Sequence, residues 1–134
     1  MADMLPKLFF QHFQNTSFAT VRTNGSENIV AFLVGFVSQM HPTEAYVHFV
    51  GVHPDYRTYG LGRRLYEHFF DAVRKRGCKL VRCVTSPVNN GSIAFHVKMG
   101  FEFEAGEGKT EDGIPVHMNY DGRGQSRICF KKNL

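Results

Sequence analysis

A glycine-containing connection between a strand and a helix reads Val50-Gly51-Val52-His53-Pro54-Asp55-Tyr56-Arg57-Thr58-Tyr59-Gly60-Leu61-Gly62-Arg63-Arg64. It places two glycines at a helix N-terminus, where the first backbone N–H groups have no acceptor inside the helix. The helix dipole is positive there, and glycine lets a ligand approach the main chain closely. Arg57, Arg63 and Arg64 add positive charge. The stretch therefore predicts a site for an anionic diphosphate, held largely by backbone amides.

The residues around this connection predict a strand, a helix and a second strand. Residues 45–52 are rich in β-branched and aromatic side chains, which is typical of a central strand. Residues 60–76 carry apolar side chains four apart and predict a helix that Gly77 ends in a left-handed conformation. Residues 79–85 predict a strand parallel to the first, because a strand, helix, strand run of this length is the right-handed crossover unit.

The remaining elements follow from turn residues and apolar periodicity. We expect a helix over about residues 3–14, a hairpin of residues 17–22 and 29–37, a short helix closed by Gly100, strands over 101–105, 116–120 and 126–131, and a polar loop over 106–114.

Two familiar phosphate loops do not fit the glycine stretch. A P-loop needs G-x-x-x-x-G-K-[ST], which the sequence lacks. A dinucleotide fingerprint needs a third glycine where Leu65 stands.

Two segments resemble the GNAT superfamily of acyl-CoA N-acyltransferases. Arg57 to Gly62 resembles its [QR]-x-x-G-x-[GA] signature, and Asn89 to Phe101, N-N-G-S-I-A-F-H-V-K-M-G-F, resembles its second segment, roughly N-x-x-A-x-x-x-Y-x-K-x-G-F. The similarity covers residues 17–106 well. It implies an α/β fold whose mixed, mostly antiparallel sheet has two splayed parallel middle strands flanked by helices. We expect one domain over residues 1–134, with a shortened N-terminus.

The resemblance implies acetyl-CoA as cosubstrate. In the family, backbone at the positions of Val50, Gly51 and Val52 pairs with the pantetheine arm of CoA. The loop that carries the pyrophosphate corresponds to Arg57, Thr58, Tyr59, Gly60, Leu61, Gly62 and Arg63. The position of Asn89 often contacts the pantetheine arm, but Asn89 can equally be the N-cap of the short helix.

Catalytic candidates are less well defined. His96 stands where many relatives have a tyrosine that protonates the leaving thiolate; Tyr120 is another candidate acid, or no protein acid is needed. Glu44 and His48 are candidate general bases, and Val84 stands where some relatives carry a glutamate. Each candidate also has a purely structural alternative in packing or solvation.

The predicted reaction is direct acetyl transfer to a primary amine of a small molecule or peptide. A CoA-binding sensor or assembly module without catalysis is the alternative, kept open by the missing tyrosine. A third hypothesis is a nucleic-acid-binding domain, but no readout element is visible. Residues 102–112 carry an excess of acidic side chains. This stretch is either a solvent-exposed loop or a negatively charged surface that attracts a basic acceptor.

Composition sets further limits on the class of protein. The chain has 134 residues and a net charge of +4, enough for one domain and suited to a polyanionic small molecule. Three cysteines without C-x-x-C spacing or a histidine cluster predict a cytoplasmic protein with no metal site. No membrane segment is expected. A homodimer would cover a sheet edge left exposed by the short N-terminus.

Overall fold

The computed structural model describes residues 12–23 and 27–134, which form two compact units. The first unit contains the described residues up to Lys79 together with Leu134, and the second contains Leu80–Asn133. The helix predicted over residues 3–14 lies almost entirely outside the described residues. The single domain expected from the sequence stays a prediction.

The first unit is a three-stranded antiparallel sheet with one long helix. Its strands are β1 (Ser17–Thr23), β2 (Glu27–Val37) and β3 (Glu44–Val52), paired in that order. A 3₁₀ helix, Pro54–Tyr59, leads to helix α1, Leu61–Arg74. The predicted hairpin, strand and helix of this unit are confirmed, and Gly77 has the expected left-handed conformation, with φ of 87°.

Helix α1 packs on the first unit through one broad apolar face. Its buried residues are Gly62, Leu65, Tyr66, Phe69, Phe70 and Val73. Phe69 is fully buried and lies over Gly35 of strand β2, where an added Cβ would be 2.6 Å from the phenyl ring and 2.7 Å from the carbonyl oxygen of Tyr46. Only glycine allows helix and sheet to approach this closely, so Gly35 sets the position of α1.

The second unit is built around three antiparallel strands and a short helix. Strand β4 (Leu80–Thr85) pairs with β8 (Ile128–Asn133), and β8 pairs with β5 (Glu102–Phe103). Helix α2 is Asn90–Lys98. Its histidine, His96, stacks on Phe130 of β8 with ring centroids 5.1 Å apart. Phe101 and Phe103 also pack on Phe130, so aromatic rings form the centre of this unit.

Three sequence predictions for the second unit are corrected. The strand expected over residues 101–105 is limited to β5. The loop expected over 106–114 contains β6 (Gly108–Lys109), which pairs with β7 (Pro115–Val116). The strand expected over 116–120 is limited to Val116 in β7 and the bridge of His117 to Arg127, because the Asn119 side chain accepts a hydrogen bond from Gly124 N–H at 2.8 Å and bends the chain away.

Two further properties bear on the class of protein. Within residues 12–23 and 27–134, no helix is both long and apolar enough to cross a bilayer. Cys78, Cys83 and Cys129 are buried free thiols.

Replacing Gly35 by alanine should destabilise the protein, because the new methyl group overlaps both the Phe69 ring and the Tyr46 carbonyl. We expect a loss of about 1–3 kcal/mol in the free energy of unfolding, measured by urea denaturation. Gly91→Ala is the matched control, because the nearest atom to its Cβ is 3.8 Å away. Equal stabilities of the two variants would contradict this account of helix packing.

Candidate active site

The connection between β3 and α1, residues 53–60, is called the glycine loop, and Gly60 is the residue at which it turns into the helix. It ends the 3₁₀ helix and caps helix α1 with φ of 69° and ψ of 23°, a left-handed conformation that favours glycine. The loop is anchored at its other end, where His53 Nδ1 accepts a hydrogen bond from Asp55 N–H at 3.1 Å and Pro54 starts the 3₁₀ helix. A local hydrogen bond at His53 and the left-handed conformation of Gly60 therefore fix the two ends of this loop.

The start of helix α1 presents unpartnered backbone donors. The N–H of Arg64 donates to Gly60 O at 3.1 Å, which is the first intrahelical bond. The N–H groups of Gly62 and Arg63, which precede Arg64 in the first turn, have no acceptor inside the helix. These donors lie at the positive end of the helix dipole, so an anion is the ligand they would bind best.

Basic side chains and a groove accompany these amides. Arg63 is exposed, Arg64 donates from Nη2 to Tyr59 O at 3.2 Å, and Arg57 Nε lies 3.5 Å from Val52 O. An open groove of about 640 Å³ adjoins the helix start, within the size range of small-molecule sites. Its lining residues are Thr20, Val30, Asp55, Tyr56, Tyr59, Leu61 and Arg64.

Strand β3 carries two of the predicted catalytic residues and three of the predicted cofactor positions. Glu44 begins the strand half-buried, and Val50, Gly51 and Val52 end it, paired with β2. Between them the register shifts, because Val34 faces Phe49 while Gly35 faces Val47. His48 is therefore the extra residue of a β-bulge, and its side chain is exposed.

Asn89 and His96 lie in the second unit, at the start and near the end of helix α2. The Asn89 side chain accepts a hydrogen bond from Ser92 N–H at 3.1 Å, which is the N-cap geometry. His96 is 3% exposed, and its Nδ1 lies 2.8 Å from Ser92 O. Burial lowers the pKa of His96, and the bond to Ser92 partly opposes this effect. The structure thus gives both residues structural partners.

Tyr120 and two of the buried cysteines have raised pKa values. Tyr120 is about half exposed; partial burial raises the pKa of its phenol, as do the charges of Cys129, Asp121 and Glu104. Burial raises the pKa of the Cys78 thiol, and burial with nearby carboxylates raises that of Cys129 to about 11. Both thiols are protonated at neutral pH, so neither is an activated nucleophile.

One cluster was not predicted from the sequence. Ligand atoms of Glu104, His117 and Cys129 all lie within 4.8 Å of one another in the second unit. The expectation that no cysteine clusters with histidine is therefore wrong for Cys129. The three members of this cluster lie 13 and 12 positions apart along the chain, so no short sequence motif indicates the cluster.

The predicted site residues thus fall into two groups. One group lies along β3 and the start of α1, with Thr58 and Tyr59 in the 3₁₀ helix between them. The other group, Asn89, His96 and Tyr120, belongs to the second unit. His96 lies inside an aromatic cluster rather than on a surface.

The lowered pKa of His96 predicts a specific loss of stability in acid. Because the folded state favours neutral His96, its contribution to stability is present above the unfolded pKa of about 6.5 and is lost as pH falls through the folded-state pKa. We expect the His96 imidazole to titrate below 6.5 by NMR. His96→Gln should reduce the loss of stability in acid, whereas the exposed control His41→Gln should not. A His96 midpoint at or above 6.5 would contradict this.

Relatives of this chain are N-acetyltransferases by name. A "[Ribosomal protein bS18]-alanine N-acetyltransferase" of Escherichia coli (strain K12) is 35% identical over 65 residues, which are 48% of this chain and 44% of the relative. The chain thus aligns with less than half the length of that curated relative.

Solved structures share the fold. The crystal structure of the ribosomal-protein-S18-alanine N-acetyltransferase from Escherichia coli matches with a TM-score of 0.61 and 25% identity, covering 92% of this chain and 75% of that one. The crystal structure of the NatC complex bound to Gag peptide and CoA matches with a TM-score of 0.73 and 16% identity, covering 96% of this chain and 77% of that one. The predicted fold class is confirmed.

The sequence model described as "Acetyltransferase (GNAT) family" matches residues 2–101, well over half of the chain. The glycine loop, the three strands before it and both helices, α1 and α2, all fall within that match. On this match and the shared fold, the chain is a member of the GNAT acetyltransferase family.

Proposed function

We propose that this protein transfers the acetyl group of acetyl-CoA to a primary amine. The observation that carries the proposal is the start of helix α1, where unpartnered amides and basic side chains converge next to a groove in a GNAT family member. An anionic diphosphate is the ligand class that such a helix start binds. Membership of the family makes CoA the diphosphate-bearing ligand of choice, and CoA is present in the NatC structure.

The proposed cofactor site has two parts in the first unit. The amides of Gly60 to Arg63, with Arg57 and Arg63, bind the pyrophosphate. Backbone groups of Val50 to Val52 pair with the pantetheine arm and orient the thioester, the role that the resemblance assigns to this strand end. In the second unit we assign Asn89 first to the cap of helix α2, because its side chain already accepts from Ser92 N–H.

The acetyl group passes directly from CoA to the acceptor. The neutral amine attacks the thioester carbonyl, a new C–N bond forms, and the C–S bond breaks to release the CoA thiolate. A covalent acetyl-cysteine is not proposed, because burial raises the pKa values of the Cys78 and Cys129 thiols. Buried free thiols also suit a reducing compartment, and we propose a cytoplasmic location.

A base on strand β3 accepts the amine proton. His48 is the stronger candidate, because the bulge takes it out of the regular ladder and leaves its ring exposed. Glu44 is half-buried at the strand start and is the second candidate. General base catalysis by a positioned side chain contributes about 10²–10⁴-fold to a rate.

The acceptor is a primary amine of a small molecule or peptide. The Escherichia coli relative is named for an alanine of a ribosomal protein, which makes a peptide N-terminus the first acceptor to test.

A CoA-binding module without catalysis is the second candidate function. The observation that favours it is the burial of His96 at the position of the family tyrosine, since an imidazole of lowered pKa is mostly neutral at pH 7 and has no acidic proton to donate. Tight CoA binding without turnover on any acceptor would support this alternative over the enzyme.

Turnover is the first test of the enzyme proposal. We expect acetyl-CoA to release free thiol with at least one amine in a panel that includes peptides with N-terminal alanine, polyamines and aminoglycosides. His48→Gln should lower kcat by about 10²–10⁴-fold if His48 is the base, with Glu44→Gln as the parallel test. His41→Gln is a control for loss of an exposed histidine. Acetyl-cysteine found by mass spectrometry during turnover would contradict direct transfer.

The phosphate site is tested by comparing CoA with pantetheine, which lacks the pyrophosphate. Arg57→Ala and Gly60→Glu should weaken CoA binding by about 10- to 100-fold in calorimetry, because each removes or opposes a charge-assisted contact. Their effect on pantetheine should be small. Arg74→Ala, at the opposite end of α1, is the matched control. Unchanged CoA affinity in both loop variants would remove the proposed site.

A further inference from the structure

A second chemical feature lies outside the proposed acetyl-transfer site. Side-chain ligand atoms of Glu104, His117 and Cys129 all lie within 4.8 Å of one another. Cys129 is 3% exposed, and the other two residues are half-buried. The cluster is therefore partly shielded from solvent, with Cys129 as its most buried member.

Backbone hydrogen bonds hold the three residues in place. Glu104 N–H donates to Cys129 O at 2.9 Å, which links the end of β5 to β8. His117 and Arg127 exchange two backbone bonds of 2.8 and 3.0 Å. Cys129 is itself paired with Val84 in the β4–β8 ladder. Cys129 thus lies in a strand, Glu104 and His117 directly follow β5 and β7, and backbone hydrogen bonds hold all three positions.

His117 has a buried nitrogen without a hydrogen-bond partner. Its Nε2 atom is inaccessible to solvent, and no donor or acceptor for it is found in the described part of the chain. Buried polar atoms in native proteins nearly always have a partner, so an unsatisfied one requires an explanation. A metal ion bound at Nε2 supplies one, since neutral imidazole nitrogen is the commonest metal ligand.

The donor set selects the kind of metal. Thiolate sulfur with imidazole nitrogen suits zinc and similar transition metals, whereas magnesium and calcium prefer sets of oxygen ligands. Zinc binds Cys, His and carboxylate ligands at about 2.0–2.3 Å, so its tetrahedral ligand atoms lie roughly 3.3–3.8 Å apart. Side-chain rotations that shorten the separations by about 1–1.5 Å would therefore close the three donors around one ion.

Charges around the cluster balance in favour of a cation. Asp121 and Glu107 both act on Cys129 as nearby negative charges, in addition to Glu104. Two guanidinium groups oppose these three carboxylates, because Arg82 Nε lies 3.0 Å from Glu104 Oε1 and Arg127 Nε lies 2.8 Å from Asp121 Oδ2. Arg82 can hold one carboxylate oxygen while the other faces a metal, an arrangement that orients a ligating carboxylate.

We propose that Glu104, His117 and Cys129 bind one zinc ion in the second unit. The Cys129 thiol loses its proton to solvent on binding, and its thiolate becomes the metal ligand. Three protein ligands leave one coordination position for water. The ion cross-links the end of β5, the segment after β7 and strand β8, so it stabilises this unit. The site is independent of the proposed acetyl transfer, and its test needs neither CoA nor an acceptor.

The test uses the full chain, stripped of metal by a chelator and titrated with Zn²⁺ by calorimetry. Co²⁺ serves as the spectroscopic probe, because a cobalt–thiolate bond gives a charge-transfer band in the near ultraviolet. We expect one ion per chain, the charge-transfer band, and a higher melting temperature with Zn²⁺. Cys129→Ser should abolish the band and weaken Zn²⁺ binding by more than about 100-fold.

Matched variants separate ligand loss from unfolding. Cys83→Ser removes another buried thiol of the same unit and should keep both the band and the affinity. Glu104→Gln keeps the side-chain shape and should weaken Zn²⁺ binding while the cobalt–thiolate band remains. Absence of Zn²⁺ binding to the folded wild-type chain would overturn the proposal. So would a charge-transfer band that survives in folded Cys129→Ser.

Discussion

The close approach of helix α1 to strand β2 at Gly35 is the constraint on which the first unit depends. Phe69 fills the space that any side chain at Gly35 would occupy, and the helix is fixed at that depth on the sheet. Because a helix is rigid over 14 residues, fixing Phe69 also fixes the first turn, two turns earlier. The first-turn amides of Gly62 and Arg63 therefore have a defined position, and a ligand bound there meets pre-organised donors.

Sequence reasoning succeeded where local chemistry determines the backbone. The β1–β2 hairpin, the left-handed cap at Gly77 and the N-cap by Asn89 each depend on residues a few positions apart. It failed over residues 116–120, whose alternating apolar pattern is typical of a strand. There the Asn119 side chain and the 2.8 Å ion pair of Arg127 with Asp121 stabilise a turn-rich segment instead. Such competition between side-chain and ladder hydrogen bonds is not visible in periodicity.

The same distinction applies to the site. The left-handed turn at Gly60 and the helix start after it could be predicted, because the glycines and the apolar repeat that follows them are contiguous in the chain. The bulge at His48 could not, since it arises from the register between β2 and β3, which forms only when the two strands pair. Nor could the cluster of Glu104, His117 and Cys129, because three segments must pair before those side chains meet.

Under the proposed function, the protonation states of the leaving thiolate and the attacking amine restrict the class of acceptor. The departing CoA thiolate resembles that of cysteine, whose thiol has a pKa of about 8.5, so it can leave without full protonation by an acid. Buried His96 and a Tyr120 of raised pKa then need not donate a proton. The harder step is obtaining a neutral amine.

At pH 7 about one in seven peptide α-amines is neutral, against about one in 2,500 lysine side chains, from pKa values near 7.8 and 10.4. A lysine acceptor would therefore depend much more on the enzyme to remove its proton than an α-amine would. The bases proposed on β3 are an exposed histidine at a bulge and a half-buried glutamate at a strand end, neither of which lies in a deep apolar environment. An α-amine is already partly neutral at pH 7 and needs less help from a base than a lysine side chain does, so the proton balance favours a peptide N-terminus as the acceptor.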